Sequence, residues 1–480
     1  AFVDFKSAWD PDNKLNPGNI VNAPQPTEHL RMANGAAHLN VLFRPTRFRF
    51  PDDGGSMAAA ADRCIGIGEC RKQDAGVMCP SYMVTLEEEH STRGRARMLA
   101  EALRGDVLRG GWNDEQVKRS LDLCLSCKAC KSECPTNVDI ATYRAEFLSH
   151  YYEGRTRPLH AIAFGLIDRW AQMASHIPHI ANFAAHAPGL ASLLRAALHV
   201  TPKRELPRFA PVSFQRWSRR HAVPESEGPA MNGAVEKRNE VILWADTFNN
   251  YFHPEVSRAA LQVLLAAGFD VTVPRQHFCC GRPLYDFGML SEATRYLERI
   301  LQVFGGKIDA GVPIVVLEPS CVSVFRDELR NLFPADARAV RLRNQTFLLA
   351  EFLRQHAPDY RPPPLERKVF LHGHCHQKAL LKTDDEAALL AQMGADVQSP
   401  DAGCCGMAGS FGYERDKFAV SQAIGERALL PAVRQASPDT LIVSDGFSCR
   451  EQIRQATGRR AMHFAEVLQL ALHTENREEA

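Results

Sequence analysis

Residues 124 to 135 read Cys124-Leu-Ser-Cys127-Lys-Ala-Cys130-Lys-Ser-Glu-Cys134-Pro135. Three thiols at two-residue intervals, then a fourth backed by proline, dictate a short turn wrapped around a sulfur-binding group. This is the C-x2-C-x2-C-x3-C-P spacing that holds cuboidal iron–sulfide clusters. The first three thiolates grip one cube, and backbone N–H groups of the turn stabilise its sulfides. The fourth thiolate, set off by Pro135, ligates a second cube. A zinc knuckle needs only two C-x2-C pairs and leaves Cys134-Pro135 without a role.

A second cube requires a second half, and a degraded one lies upstream. Cys64-Ile-Gly-Ile-Gly-Glu-Cys70 supplies the first and third ligand positions, with Ile67 where the second belongs. The Cys-Pro pair survives as Cys79-Pro80, nine residues after Cys70 instead of four. Crossing the fourth cysteines gives one full set, Cys79, Cys124, Cys127 and Cys130. The other set, Cys64, Cys70 and Cys134, is one ligand short. That site holds a three-iron cluster, recruits a non-cysteine ligand, or is vestigial and empty; spacing does not choose. Ser56 is placed to cap a helix from Met57 to Arg63. A second helix is expected over Thr92–Leu103, carrying Arg93, Arg95 and Arg97, which either offset cluster charge or form a solvated basic face. A third is expected over Val138–Tyr151.

Composition narrows the class. A chain of 480 residues exceeds one typical core, so two to four domains are expected. Hydrophobic residues make up 45% and charged residues 24%, as in globular proteins. The net charge of +1 does not call for nucleic acid or an anionic membrane. No stretch reaches the roughly 18 apolar residues of a membrane span. Ala1–Trp9 lacks the apolar core of a signal peptide, and a chain opening on Ala is expected to begin mid-protein. The 14 cysteines come in tight clusters, and adjacent ones such as Cys279-Cys280 are poor disulfide partners. Metal or cluster ligation is the better reading.

The second half of the chain repeats itself. Val241–Asp246 matches Val369–His374, Cys279-Cys280-Gly281 matches Cys404-Cys405-Gly406, and Glu318-Pro-Ser-Cys321 matches Gly446-Phe-Ser-Cys449, at offsets of 128, 125 and 128 residues. Each unit is too long for a solenoid repeat and reads as a small domain. In the first, strands are expected at Val241–Asp246, Phe269–Val273 and Ile314–Glu318, with helices at Pro254–Ala267 and Glu292–Phe304. In the second, Val369–His374 and Thr440–Asp445 are the clearest strands. This βαβ alternation implies a parallel sheet covered by helices. Cysteines follow the strands, and such sheets place ligands at the carboxyl ends. Cys375, Cys404, Cys405 and Cys449 should therefore converge. In the first unit Thr247 stands where the second has Cys375, leaving Cys279, Cys280 and Cys321. Gly281 and Gly406 allow the tight turn that aims both vicinal thiols at one site. His372, His374, His376 and His277 flank these cysteines, where they ligate metal, relay protons or pack as ordinary polar groups.

Between the two halves, Leu159–Val200 is rich in alanine and leucine and broken by Pro178 and Pro188. Phe164, Leu166, Ile167, Trp170 and Met173 form an apolar stripe of helical spacing, expected to pack into core rather than meet a membrane surface or quinone. Residues 201–240, with proline and basic residues, read as a linker.

These features together resemble a known set of proteins. The cysteine repeat is similar to the CCG pair found in heterodisulfide reductase and in the iron–sulfur subunits of glycolate oxidase and anaerobic glycerol-3-phosphate dehydrogenase. The N-terminal Trp9-Asp10-Pro11-Asp12-Asn13-Lys14-Leu15-Asn16-Pro17-Gly18-Asn19-Ile20 resembles the end of an FAD-linked oxidase domain. The combination resembles the fused FAD-dependent D-2-hydroxyacid dehydrogenases of D-lactate or D-2-hydroxyglutarate type. The resemblance implies a mixed fold. Residues 1–22 are the tail of the FAD-linked domain and 23–55 a connector. Residues 56–155 are an all-α ferredoxin-like dicluster domain and 156–200 a helical segment; 201–240 link to two α/β cysteine-rich units, 241–360 and 361–480. It further implies a 4Fe–4S cluster on the full cysteine set, a second cluster on the short set, and a non-cubane iron–sulfur cluster or zinc in the CCG units. FAD sits in an upstream domain or partner subunit, which takes a hydride from a D-2-hydroxy acid and hands electrons on singly. The acceptor is a quinone or a carrier protein. The expected location is cytoplasmic, peripheral at the inner membrane face. No residue of this chain is expected to catalyse hydride transfer. Thiol–disulfide chemistry at the CCG site and a zinc-binding interaction module are the rival functions.

Overall fold

Short capped helices build the cysteine-bearing region. A computed structural model describes residues 1–25, 28, 45–74, 76–105, 107–224, 239–401 and 403–478, the side chains of 475–478 excepted. Helix α1 spans Phe2–Trp9. Beyond the undescribed part of the connector, Ser56 caps α2 (Met57–Asp62) by accepting from the Ala59 N–H at 3.2 Å. Pro80 opens α3 (Pro80–Thr85) at the first helical position, where no N–H is missed. Ser91 caps α4 (Thr92–Arg104), Asp114 caps α5 (Glu115–Asp122), α6 spans Ala129–Glu133, and Asp139 caps α7 (Ile140–Tyr151). The cysteine turns lie between these helices, with Cys64 after α2, Cys79 just before α3, and Cys124 to Cys134 around α6. The solvated basic face expected on α4 is not there as such. Arg95 is buried, with its guanidinium donating to the Ser120 carbonyl at 2.8 Å and to the Ser81 hydroxyl at 2.9 Å.

Four short helices follow, α8 (Leu159–Gly165), α9 (Ile167–Ala174), α10 (Pro178–His186) and α11 (Leu190–Ala197). Pro178 starts α10 instead of breaking a longer helix. The apolar stripe does not form one core face, because Trp170 and Met173 are exposed while Asp168 and Ala171 are buried. Asp168 turns inward because it accepts from the Tyr296 hydroxyl at 2.8 Å. No helix among the described residues is long and apolar enough to cross a membrane. The expected linker is packed through residue 224. Ser213 caps a helix over Phe214–Arg220 whose buried Gln215 donates to the carbonyls of Pro274 and Gln276. Residues 225–238 of that linker lie outside the described residues.

The repeat folds as two four-stranded parallel sheets. The first holds β1 (Glu240–Trp244), β2 (Asp270–Thr272), β3 (Ile314–Val316) and β4 (Thr346–Phe347), in the order β2-β1-β3-β4. The second holds β5 (Lys368–Leu371), β6 (Asp396–Gln398), β7 (Leu441–Val443) and β8 (Ala461–Met462), in the order β6-β5-β7-β8. The central strands read as continuous apolar runs because helices cover both faces. Strands β4, β6 and β8 fall outside the strands expected from the sequence; each is two or three residues long, below what alternation can mark. The two units share one core. Val241, Leu243, Val315, Val369, Leu371 and Val443 belong to a single buried cluster, and the helix Pro254–Ala266 packs on Phe464–Glu478. In each sheet the chain order reverses between the two central strands, which opens a crevice at their carboxyl ends. Thr247 and Cys321 follow β1 and β3; Cys375 and Cys449 follow β5 and β7.

Candidate metal centres

All 14 cysteines are free thiols. In the dicluster region they line two neighbouring cavities, with Cys70 of one hydrogen-bonded to Cys79 of the other. Cys79, Cys124, Cys127 and Cys130 line one cavity of about 300 Å³, closed off by Pro80, Thr92 and Ile140. Cys64, Cys70 and Cys134 line another of about 290 Å³, with Ile67, Gly68 and Arg93 around it. Helix α4 serves both. The Thr92 N–H donates to Cys79 Sγ at 2.9 Å and the next N–H, of Arg93, to Cys70 Sγ at 3.3 Å. Two of the N–H groups that a helix start leaves without helical partners thus face one thiol of each set, and the helix dipole favours thiolate there. Cys70 falls to about 6, chiefly through a hydrogen bond from Cys79. Burial raises both Cys127 and Cys130, aided by Cys375 and Cys130 at the first and by Asp139 and Cys124 at the second. Soft sulfur donors converging from separate segments on a shared cavity, with no disulfide between them, fit an iron–sulfide cluster.

The turn that carries the full set is pinned from behind by a lysine. Lys128, with backbone φ of +63° and a side chain of 0% exposure, donates to Asp139 Oδ2 at 3.0 Å, Thr142 Oγ1 at 2.8 Å and Asp327 Oδ2 at 2.8 Å. Lys131 also pairs with Asp327, and Glu328 pairs with Arg282 at 2.6 Å. Asp327 and Glu328 lie in a π-helical turn of the first cysteine-rich unit. Sequence reasoning missed this network, since nothing local at Lys128 announces partners some 200 positions away.

In the second unit, sulfur–sulfur hydrogen bonds run from Cys375 to Cys404, on to Cys405 and on to Cys449. The four strand-end thiols therefore converge. Cys375 falls to about 5 because Cys404 donates to it and, against burial, because His374 sits beside it. His374, against the cost of its own burial, rises to about 9 on account of Cys375. Its Nε2 is 3.9 Å from Cys375 Sγ. His376 donates from Nε2–H to the Ser126 carbonyl at 2.9 Å, and one ring nitrogen each of His374 and His376 lies with Cys375 Sγ in a group whose atoms are all within 4.8 Å of one another. Burial holds both His372 and His376 low, and the Nδ1 atom of each is buried without a partner. A cavity of about 590 Å³ between Pro80, Met83, Asp401 and Arg427 reaches Cys404.

The first unit brings together three thiols. Cys280 Sγ lies 2.9 Å from Cys321 Sγ, and Cys279 hydrogen-bonds Cys280. In place of a fourth thiol, the Thr247 hydroxyl meets His277 Nε2 at 3.1 Å. Gly281 and Gly406 both have left-handed backbone, at φ of +84° and +82°, and a Cβ at Gly406 would lie 2.1 Å from the Ser421 carbonyl. Glu318 is a second feature missed from sequence. Its buried carboxylate accepts from the Phe447 N–H of the other unit at 2.8 Å, joining the two strand-end loops.

The dicluster turn and the second unit meet. Cys127 stands close enough to Cys375 for their charges to couple, and Cys127, Cys130, Cys280, Cys321 and Cys375 lie in one buried cluster.

Comparison with known proteins agrees with this layout. Residues 60–138 match the family described as a 4Fe-4S dicluster domain, and residues 246–326 and 369–454 each match the cysteine-rich domain known as CCG. A D-2-hydroxyglutarate dehydrogenase of Pseudomonas putida is 27% identical over 98% of this chain and 48% of its own length. One subunit of the anaerobic glycerol-3-phosphate dehydrogenase of Escherichia coli is 28% identical over 66% of this chain and 78% of its own. Lactate utilization protein A of Anoxybacillus flavithermus is 29% identical over 48% of this chain and 98% of its own. The chain spans about half the length of the D-2-hydroxyglutarate dehydrogenases it matches. Matches and relatives together support a metal-binding, 4Fe–4S and cysteine-rich chain of oxidoreductase type.

Proposed function

We propose that this chain is the electron-transfer part of an FAD-dependent 2-hydroxyacid dehydrogenase. In this reading Cys79, Cys124, Cys127 and Cys130 hold a 4Fe–4S cluster, and Cys375, Cys404, Cys405 and Cys449 hold a second metal centre, iron–sulfur or zinc. The three-thiol sets Cys64, Cys70, Cys134 and Cys279, Cys280, Cys321 are subsidiary sites. An all-α dicluster domain over 56–155 precedes the units 241–360 and 361–480. A bound iron–sulfur cluster supplies one-electron chemistry, which suits a chain placed between a two-electron flavin and its acceptor.

The observation that carries this reading is the contact of the dicluster turn with the strand end of the second unit. His376 donates to the Ser126 carbonyl, beside Cys127, and is itself beside Cys375. Two sulfur sets thereby lie next to each other in one buried cluster. Thr92, Arg93 and Arg95 place N–H groups and positive charge beside the thiolates, which favours the anionic state of whatever they hold. The FAD domain belongs upstream or in a partner subunit. Helix α1 buries none of its residues, and Phe2, Phe5 and Trp9 are exposed, as expected of a segment that packs on such a domain. The substrate class is a D-2-hydroxy acid; the acceptor is a quinone or a carrier protein.

Anaerobically purified protein is expected to contain iron and sulfide and to give the EPR signal of a reduced cluster with dithionite. Cys127→Ser abolishes that signal, and Cys64→Ser leaves it. A folded, colourless and iron-free preparation would overturn the reading. Loss of the signal in Cys64→Ser would overturn the ligand assignment.

A further inference from the structure

The short dicluster site keeps the shape of a complete one. In the full half, the central thiol of Cys127 is flanked by two left-handed residues, Ser126 at φ of +52° and Lys128 at +63°. In the short half, Ile67 is flanked in the same way by Gly66 at +83° and Gly68 at +87°. Left-handed backbone on both sides of a residue is uncommon in L-amino acids. Its recurrence in both halves means that residue 67 stands where the central ligand stands in the other half. The outer thiols match too, because Cys70 sits in a short helical turn (Glu69–Arg71) as Cys130 sits in α6. What differs is the side chain. Cys127 is 8% exposed and lines its cavity; Ile67 is 59% exposed and Ile65 is 63% exposed, at the mouth of theirs.

The remaining ligand sphere is intact. Cys64 and Cys70 are buried, and Cys134 lines the same cavity. The Arg93 N–H donates to Cys70 Sγ. The Arg93 guanidinium lies over the loop, with Nη1 3.6 Å from where a Cβ on Gly68 would be, and is electrostatically coupled to Cys70 and Cys64. The same guanidinium is ion-paired to Glu88 at 2.7 Å, so what marks a kept site is the two left-handed glycines, the two buried thiols and the Arg93 N–H on Cys70. We propose that Cys64, Cys70 and Cys134 hold an iron–sulfide cube by three corners, and that the fourth iron, at the position of Ile67, has only a small oxygen donor such as water and is exchangeable. This rests on the proposed function in taking the region to carry clusters, and it adds that the two differ in the hold on one iron.

The consequence is a balanced exchange. Departure of the fourth iron as Fe²⁺, with one electron removed by a one-electron oxidant such as ferricyanide, leaves a three-iron centre. Fe²⁺ and one electron from dithionite restore it. The full site, with four thiolates, does not take part.

The test is iron counting with EPR on the anaerobically purified chain. Wild-type protein treated with ferricyanide and a chelator is expected to lose one iron per chain, to show a three-iron signal, and to regain the iron with Fe²⁺ and dithionite. Ile67→Cys, at an exposed position where folding is undisturbed, is expected to retain that iron under the same treatment. Cys64→Ser is expected to lose the exchangeable iron and the three-iron signal but to keep the signal of the other cluster. Wild-type protein that keeps a stable cluster yet releases no iron would overturn this proposal and leave the proposed function standing. Equal iron release from wild-type and Ile67→Cys would overturn it as well. Wild-type protein with no iron at all would overturn both.

Discussion

The two cysteine-rich units share a topology and a core, yet their strand-end sites differ in charge and in number of thiols. At matched positions after the first strand, one unit has Asp246-Thr247 and the other His374-Cys375. Asp246 is raised to about 6 by burial and by Glu318, and its carboxylate caps the next helix through the N–H groups of Phe248 and Asn249. Around it the Cys280 hydrogen bond and burial raise Cys279, burial raises Cys280, and Cys321, despite a hydrogen bond from Cys280, is pushed up to about 12 by burial and then by Asp246. In the second unit a hydrogen bond from Cys404 and the neighbouring His374 hold Cys375 low, and hydrogen bonds from Cys404 and Cys449 hold Cys405 low, while Cys404 and Cys449 are themselves raised. A thiolate is the metal-binding form. The second unit thus has a fourth thiol and holds two of its four thiols low, whereas the first has a hydroxyl in that place and three raised thiols. Both sites adjoin the dicluster turn, since Cys280, Cys321 and Cys375 lie in one buried cluster with Cys127 and Cys130.

The largest effect expected from this contrast is loss of a whole centre. Cys405→Ser should empty the second-unit site, because Cys405 bonds both Cys404 and Cys449. Cys321→Ser should change metal content far less. Iron and zinc per chain, measured on both variants after anaerobic purification, check this. Equal losses would erase the distinction between the units.

Much of this contrast was legible in the sequence. The repeat offsets placed Thr247 opposite Cys375, and the βαβ alternation placed both at strand ends. The crossed dicluster sets were also legible, because ligand spacing is a local property and Cys-Pro marks the ligand that leaves its own half. What escaped was whatever depends on partners remote in sequence. Asp246 and His374 were aligned, but the meaning of their charges needed Glu318 and Cys375 in space. Trp170 and Met173 fitted a helical stripe, but the buried bond of Asp168 to Tyr296 rotated the helix the other way. The packed part of the expected linker was hidden because its anchors, such as Gln215 and Arg204, are polar residues whose bonds are long-range.

The units also differ in how they hold the dicluster turn, and the next effect in size tests that. The first unit grips it through buried charge, with Lys128 against Asp139 and Asp327. Lys128→Met leaves those carboxylates buried with less compensation, at a cost of about 3–5 kcal/mol. Denaturant unfolding measures it. The effect should depend on pH. Despite burial, Lys128 and Lys131 hold the Asp327 carboxyl well below its ordinary value. Its contribution is therefore complete above the ordinary Asp pKa of about 3.9 and is lost as pH falls through the depressed folded value. The gap between wild type and variant should be widest near neutrality and shrink in acid. A pH-independent gap would mean that Lys128 acts by packing alone.

The second unit holds the same turn by packing Cys404, Phe411 and Ile424 on Leu125 and by one neutral hydrogen bond from His376, so the smallest effect is expected from removing that bond. Burial, and then nearby Arg282, push His376 well below its ordinary pKa, so the ring is uncharged and donates from Nε2 to the Ser126 carbonyl. His376→Phe keeps a flat ring of comparable size and removes that donor. One lost bond to a carbonyl costs about 1 kcal/mol, well under the Lys128 figure. Because the bond lies between Cys127 and Cys375, the variant should nevertheless move the dicluster turn relative to the second unit. The checks are denaturant unfolding and the EPR line shape of the reduced cluster, compared with Lys128→Met. A stability loss as large as that of Lys128→Met would show that the second unit, not the first, anchors the turn. An unchanged line shape would show that the contact does not reach the cluster ligands.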